Sequence, residues 1–303
     1  MFASRWPKHL PMHPGWLVDS EIVRAVSTTP EGPYEFQEVV LPARGAEYWD
    51  GRMTHNPHIK KIGDTYVLYY TGSTHPFERV VPGESLEMND PRTIVARSNK
   101  RIGIATSNSV LGPWTRRDQP IQPTRPGKFD SFLTSNAAPC VNPDGSIFLI
   151  YKARRYEGVI HGQMTIGASL AANYEGPYNV LKEGPVFPPD SFHLEDPFIW
   201  RTANGYELIA KDMDGNICGE KHGGIHAYSS DGTAWELCEH PKAYSRTILW
   251  DDGSTRTMGS LERPFLLFQD GKPTHLFAAT GNGAGGFTKA SETWNMVIPI
   301  NND

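Results

Sequence analysis

Adjacent carboxylates placed just before a proline and an apolar run are the most chemically suggestive feature of this sequence. Glu195-Asp196 precede Pro197-Phe198-Ile199, and Glu262 precedes Arg263-Pro264-Phe265. Acidic groups among Pro, Phe and Ile on a buried strand are costly to desolvate unless they are paired or used. Carboxylates facing one another across a cavity suit hydrolysis of a glycosidic bond. One protonates the leaving oxygen, and another activates water or attacks the anomeric carbon. The two roles need different proton affinities, which a neighbouring like charge raises and a cation such as Arg263 lowers. Glu195, Asp196 and Glu262 are therefore the candidate catalytic residues.

Comparable positions recur along the chain. Asp50-Gly51-Arg52-Met53-Thr54-His55-Asn56, Asp130-Ser131-Phe132-Leu133-Thr134-Ser135-Asn136 and Asp190-Ser191-Phe192-His193-Leu194-Glu195-Asp196 keep one interval from leading Asp to last polar residue. Ser260-Leu261-Glu262-Arg263 falls in register, with Thr257 in place of the leading Asp. Each segment presents a polar pair: His55/Asn56, Ser135/Asn136, Glu195/Asp196 and Glu262/Arg263. The leading Asp residues are expected to accept backbone hydrogen bonds in Asx-turns. Sugars offer C–H faces to rings and hydroxyls to polar groups. Candidate substrate-binding residues are accordingly His55, Asn56, Asn136, Arg263, His193, Lys211, Trp49 and Asp50. Trp200 is expected in the core and Lys152 in a surface ion pair.

The elements that must hold these residues repeat as well. EGPYEF (from Glu31), LGPWTR (from Leu111) and EGPYNV (from Glu175) each follow an apolar or small-residue run, and GIHAYSSDGTAWEL keeps the pattern with Asp231-Gly232 at the turn. Paired strands precede them, joined at Gly63-Asp64, Asp144-Gly145, Asn204-Gly205 and Asp270-Gly271. These dipeptides close hairpins. Together they define a four-strand unit, the size of a propeller blade. The fold class expected is all-β: one five-bladed β-propeller domain over 1–303, with blades at about 1–45, 49–122, 129–188, 190–245 and 257–300. A two-sheet β-sandwich is the competing architecture. The first blade begins at MFASRWP, in register with second strands elsewhere, so its innermost strand is missing. Either TWNMVIPIN completes that blade, or the natural polypeptide starts further upstream.

Composition narrows the partners. A net charge of −5 without a Lys/Arg run speaks against nucleic acid, and no stretch approaches the roughly 18 apolar residues of a membrane span. The N-terminus lacks the apolar core of a secretory signal. A soluble protein is expected, cytoplasmic as written, and periplasmic or secreted if an upstream signal is missing. Three scattered cysteines, Cys140, Cys218 and Cys238, are expected to be free. No cofactor is expected, although a structural metal ion in a central channel would suit His55 and His193 beside carboxylates. Oligomeric state is open. Ser230-Asp231-Gly232-Thr233-Ala234-Trp235 looks like the Asp-box of sialidases and is expected to brace a turn, while GNGAGGF from Gly281 is expected to be a flexible loop.

At the inner strands the chain resembles the five-bladed propeller glycoside hydrolases of family 43 and their relatives in families 32, 62, 117 and 130. HNPHIKKIGDTYVLYYTGS and LEDPFIWRTANGYELIAKDM carry the resemblance most strongly. It implies a first-blade Asp as general base, a third-blade Asp as modulator and a fourth-blade Glu before x-Pro as general acid. Glu195 in Glu195-Asp196-Pro197 matches the acid, Asn136 occupies the modulator position, and the base has no counterpart. The function implied is an exo-acting glycosidase on a plant or algal saccharide. The alternatives are a catalytically silent carbohydrate-binding propeller and a glycoside phosphorylase, the latter suggested by the Glu-Asp-Pro string.

Overall fold

Residues 1–283, 286 and 290–300 are described by the computed structural model. The hairpin dipeptides turn the chain where the sequence places them. Gly63, Gly145 and Gly271 take the positive φ that such turns demand, and Asp270 adopts it too. Blade two consists of Met53–Ile62, Thr65–Ser73, Arg101–Ser107 and Thr115–Arg116. Blade three is Leu133–Val141, Ile147–Arg154, Thr165–Ala171 and Asn179–Val180. Blade four is Leu194–Thr202, Gly205–Asp212, Gly224–Ser229 and Glu236–Tyr244. Each is an antiparallel sheet in simple sequential order.

Blades one and five have three strands each. Blade one pairs Phe2–Arg5 with Glu21–Val26, and that strand with Glu35–Leu41. Blade five joins Leu261–Gln269, Lys272–Gly281 and Thr293–Pro299. Within TWNMVIPIN, Thr293–Pro299 is thus a strand of blade five, in register with its second strand from Gly281↔Thr293 to His275↔Pro299, and is not a strand of blade one.

By internal contacts the chain forms two compact units. Unit 1 comprises Met1–Val26, Tyr34–Gln163 and Gly167–Gly184, and so holds blades one to three save two short segments. Unit 2 comprises those segments, Ser27–Pro33 and Met164–Ile166, together with Pro185–Asp303, and holds blades four and five. A buried core in unit 1 gathers Val67, Tyr69, Ile102, Leu149 and Tyr151, and one in unit 2 gathers Phe198, Leu261, Leu266, Leu276 and Met296.

Two helices interrupt the strands. Helix α1, Met12–Asp19, lies in the connection between the first two strands of blade one. Helix α2, Pro91–Ser98, lies between the second and third strands of blade two. Pro91 at its first turn and the Asp90 carboxylate, which accepts from the Arg92 N–H, start α2. No helix among the described residues is long and apolar enough to cross a membrane. The GNGAGGF segment lies partly outside the described residues.

The inner strands share a deformation that sequence patterning does not reveal. Register shifts fall between His55 and His58, Ser135 and Ala138, Glu195 and Phe198, and Glu262 and Phe265. At each bulge one non-glycine residue is left-handed: Asn56 (φ 53°), Asn136 (φ 54°), Asp196 (φ 55°) and Arg263 (φ 56°). That conformation is uncommon outside glycine and persists only where its surroundings enforce it. Three bulge N–H groups donate to a side chain of the preceding blade. Asn56 reaches Ser4 Oγ at 3.0 Å, Asn136 reaches Thr71 Oγ1 at 3.1 Å, and Arg263 reaches Asp196 Oδ2 at 3.0 Å.

Two leading Asp residues, Asp50 and Asp130, bind side chains where Asx-turns were expected. Asp50 is fully buried and accepts from Arg44 Nε at 2.7 Å and the Tyr70 hydroxyl at 2.8 Å, with Arg116 at 3.5 Å. Asp130 repeats this with Arg125 and Tyr151. Asp190 is exposed and lies in a turn. Asp50 therefore ties the rim of its blade together. Asp50→Ala should cost about 3–5 kcal/mol because it strands buried cations, whereas Asp118→Ala, at the exposed partner of Arg44, should cost under about 1 kcal/mol. Urea unfolding of the two variants checks the contrast.

Candidate active site

One row of paired residues crosses blade four. Glu195 pairs with Lys211, Lys211 with Gly224, and Gly224 with Tyr244. Successive side chains on a regular strand point to opposite faces. The bulge at Asp196 breaks that alternation, so consecutive carboxylates meet one ammonium. Lys211 Nζ lies 2.9 Å from Glu195 Oε2 and 3.5 Å from Asp196 Oδ2. Glu262, at the corresponding bulge of blade five, also binds Lys211 Nζ. Arg263 adds its backbone N–H and a guanidinium nitrogen 3.8 Å from Asp196 Oδ1.

The cluster holds three acids and two cations, so one proton brings it to neutrality. Glu262 carries that proton. Burial pushes its carboxyl up to about 7, overriding the pull of Lys211, with Asp196 and Glu195 adding to the rise. Asp196 goes the other way. Burial opposes its charge, yet Lys211, Arg263 and a hydrogen bond from Glu262 hold it below the usual carboxylate range. Lys211 is held well above the usual lysine value because Glu195, Glu262 and Asp196 together outweigh its burial. Side-chain exposure separates the members: Lys211 and Asp196 are 3% exposed, whereas Glu195 is 16% and Glu262 20% exposed. A ligand can therefore touch the two glutamates while Lys211 and Asp196 set their charge.

The second-to-third strand connection of blade four, residues 213–223, is wound about Asp212. Its carboxylate accepts the N–H groups of Gly215, Ile217 and Cys218 at 2.9, 2.9 and 3.1 Å. The same loop carries His222 in a left-handed conformation (φ 63°), with its imidazole pushed down to about 4 by burial and by Lys211 and Arg246. His193 pairs through Nδ1 with Asp214 at 3.0 Å. The Asp231 carboxylate accepts from Thr233 and Ala234 N–H, which holds it down to about 2 and braces the turn.

The structure thus brings Glu195, Asp196, Glu262, Lys211 and Arg263 together in unit 2, with His193 on the adjoining loop. The remaining sequence candidates belong to unit 1. His55 Nδ1 lies 2.7 Å from Ser20 Oγ, and its ring stacks on Trp16 at 4.9 Å. Asn56 Nδ2 donates to Asn136 Oδ1 at 2.8 Å. Trp49 stacks on Tyr70 at 5.7 Å and covers Gly72 and Gly103, where an added Cβ would stand 2.6 and 2.4 Å from its ring. Trp49 thus packs on its own blade while keeping part of its surface exposed, and the fully buried Asp50 cannot make the sugar contact expected of it. Lys152 is buried, opposite to its expected surface position. Sequence reasoning missed Trp6, Trp16 and Lys100, grouped with His55 through ring contacts, and Tyr244 at the far end of the Glu195 row. Only the register of four strands reveals Tyr244.

Oxygens of Glu195, Asp196 and Glu262 lie within 4.8 Å of one another, a spacing a hard cation could span. Lys211 and Arg263 already meet their charge. The histidines expected to assist a metal are His55, bound to Ser20, and His193, bound to Asp214.

No protein-family model and no curated relative matches the sequence. Solved structures do. A family 117 glycoside hydrolase from the marine bacterium Zobellia galactanivorans superposes with a TM-score of 0.65 at 18% identity, over 98% of this chain and 78% of that one. The fold is a five-bladed β-propeller. A thermostable family 43 glycoside hydrolase matches the propeller with a TM-score of 0.60 at 12% identity, covering 94% of this chain and 83% of the other. An endo-arabinase from Bacteroides thetaiotaomicron gives 0.56 at 14%, covering 94% and 87%. At these identities the likeness is one of fold, and the chemistry of the propeller rests on its own residues.

Glu262 gives the stability of the protein a signature. The folded state holds its proton up to about 7, and the unfolded chain releases it near 4.5, so between these values the folded state binds more protons and stability falls as pH rises. Glu262→Gln should flatten that decline in urea unfolding across the window. Lys211→Met leaves buried carboxylates without their ammonium and should cost about 3–5 kcal/mol near neutrality. Part of that loss should return on acidification as the carboxylates take up protons.

Proposed function

We propose that this propeller is a glycoside hydrolase in which Glu262 donates the proton to the leaving oxygen. The carrying observation is the opposed proton affinity of two touching carboxyls, Glu262 protonated near neutrality and Asp196 ionised beside Lys211 and Arg263. Such divergence is how one site supplies an acid and an anion together. As the bond between the anomeric carbon and the glycosidic oxygen breaks, the Glu262 proton passes to that oxygen. Water then supplies the oxygen of the new hydroxyl, and its spare proton returns to a carboxylate. Asp196, Lys211 and Arg263 stay charged throughout. The spacing within the cluster is too short for an inverting acid–base pair, whose carboxyls stand about 6.5–9.5 Å apart around a water. Asp196 is therefore assigned to charge-setting and Glu195 to a substrate-facing group beside the acid. Glu262 takes the acid role that the family 43 resemblance gives to Glu195.

The substrate class in this reading is a plant or algal oligo- or polysaccharide, in keeping with the carbohydrate-acting enzymes among the structural neighbours, and attack from its end rests on the family 43 resemblance. A catalytically silent carbohydrate-binding propeller is the second reading. It is favoured by Asn56 and Asn136, two amides bonded to each other at bulges equivalent to those of Asp196 and Arg263.

Aryl glycosides decide between them. Turnover should fall as pH rises past about 7, where Glu262 loses its proton. Glu262→Gln should lower kcat about 10²–10⁴-fold on substrates with basic leaving groups and much less on dinitrophenyl glycosides, which leave without protonation. Undiminished hydrolysis of a basic leaving group by Glu262→Gln removes Glu262 as the acid. Saccharide binding without any turnover by the wild type favours the silent propeller.

A further inference from the structure

Tyr244 ends the row Glu195–Lys211–Gly224–Tyr244 in blade four. Directly paired residues on neighbouring strands project to the same face of a sheet. The Tyr244 ring therefore lies over Gly224 on the side from which Lys211 projects. An added Cβ at Gly224 would stand 2.1 Å from the ring, so glycine is the residue that lets the phenol cross. Tyr244 is 8% exposed, and its hydroxyl is buried with no hydrogen-bond partner among the described residues. Its field comes from Lys211, Asp196, Glu262 and Cys218, so the hydroxyl faces the carboxylate cluster.

A buried hydroxyl without a partner is a liability that phenylalanine would remove while filling the same space. Such a group persists where another state of the site uses it. The Lys211 ammonium is already shared among Glu195, Asp196 and Glu262. Once Glu262 gives up its proton, the cluster gains a negative charge, and the Tyr244 hydroxyl is a buried neutral donor available to meet it. Burial raises that phenol well above its ordinary value, so it keeps its proton across the range in which Glu262 titrates.

We propose that Tyr244 is a positioning residue whose buried hydroxyl is a hydrogen-bond donor held in reserve for the Glu262 carboxylate after that group has lost its proton. The groups facing Glu262 are Glu195 and Asp196 from the first strand of blade four, Lys211 from the second, Tyr244 from the fourth, and Arg263 beside it. Tyr244 is the one neutral donor among them. A bond formed only to the charged carboxylate stabilises the spent acid, easing proton transfer to the leaving oxygen and setting the pH at which Glu262 recharges. The inference rests on Glu262 being the proton donor.

The test reads Glu262 directly and needs no substrate. In protein carrying ¹³C-carboxyl glutamate, the Glu262 signal is assigned by its loss in Glu262→Gln and titrated in wild type and Tyr244→Phe. Tyr244→Phe should raise the Glu262 midpoint by about one pH unit, the size of one charge-assisted hydrogen bond, while melting at or above the wild-type temperature. If Tyr244→Phe does not fold, 3-fluorotyrosine at position 244 keeps the shape, strengthens the donor and should lower the midpoint. An unmoved midpoint in either variant overturns the inference. A shifted midpoint in a protein that hydrolyses no glycoside supports the Tyr244 bond and overturns only the glycosidase reading. Hydrolysis by the wild type with an unmoved midpoint does the reverse.

Discussion

A single buried ammonium governs the chemistry of unit 2. Lys211 touches Glu195, Asp196 and Glu262, and without it three carboxylates would share a largely desolvated site. Three like charges that close together cannot all persist in a poorly solvated place. Lys211 and Arg263 offset two of them, and a proton on Glu262 offsets the third. The spare proton follows from charge arithmetic: the cluster keeps one acidic group more than it has cations, and desolvation together with the neighbouring Asp196 and Glu195 puts that proton on Glu262. Asp196 and Lys211 are enclosed, so the device is built into the blade, while Glu195, Glu262 and Arg263 keep partial exposure.

The left-handed bulge makes this arrangement available. A straight strand would send Glu195 and Asp196 to opposite faces, and no single lysine could serve both. The same bulge occurs with Asn56, Asn136 and Arg263, so the propeller repeats the geometry while changing the side chains. In unit 1 it holds two bonded amides, and in unit 2 it holds an ionised aspartate and a guanidinium. A common backbone distortion, stabilised by hydrogen bonds from the preceding blade, carries different chemistry from blade to blade.

Much of the fold was legible because turn chemistry is local. Gly63-Asp64, Asp144-Gly145 and Asp270-Gly271 declare their hairpins, and three Gly-Pro motifs with Asp231-Gly232 mark the last turns of blades one to four. The polar pairs were legible because a repeat exposes equivalent positions. Helix α2 had a readable start in Asp90-Pro91, whereas α1 has no side-chain cap and a short irregular core. The partnership of Lys211 with the carboxylates was not readable, because it depends on a bulge that a non-glycine sequence does not announce and on a pairing register that one residue of slip would reverse. The role of Asp50 was misjudged for a related reason. Its partners Arg44, Tyr70 and Arg116 are scattered along the chain and converge only in the folded blade.

The connections between strands are unequal, and the inequality has an evolutionary side. In blades two to five the hairpins between first and second strands are tight, and in blades two to four the turns between third and fourth strands follow a Gly-Pro or Asp-Gly pattern. The second-to-third connections vary freely. Blade two spends residues 74–100 there on a helix, blade three forms the small hairpin Tyr156–Glu157 with Ile160–His161, and blade four winds a loop about Asp212. Each begins just past the residue paired with the inner polar pair, as with Thr71 opposite His55 and Lys211 opposite Glu195. Variation is thereby confined to the edge of the blade next to the reactive groups and kept away from the turns that set its register. Lineages that keep this frame can exchange ligand preference by insertion or deletion in one segment, and directed evolution of the propeller has a natural place to randomise.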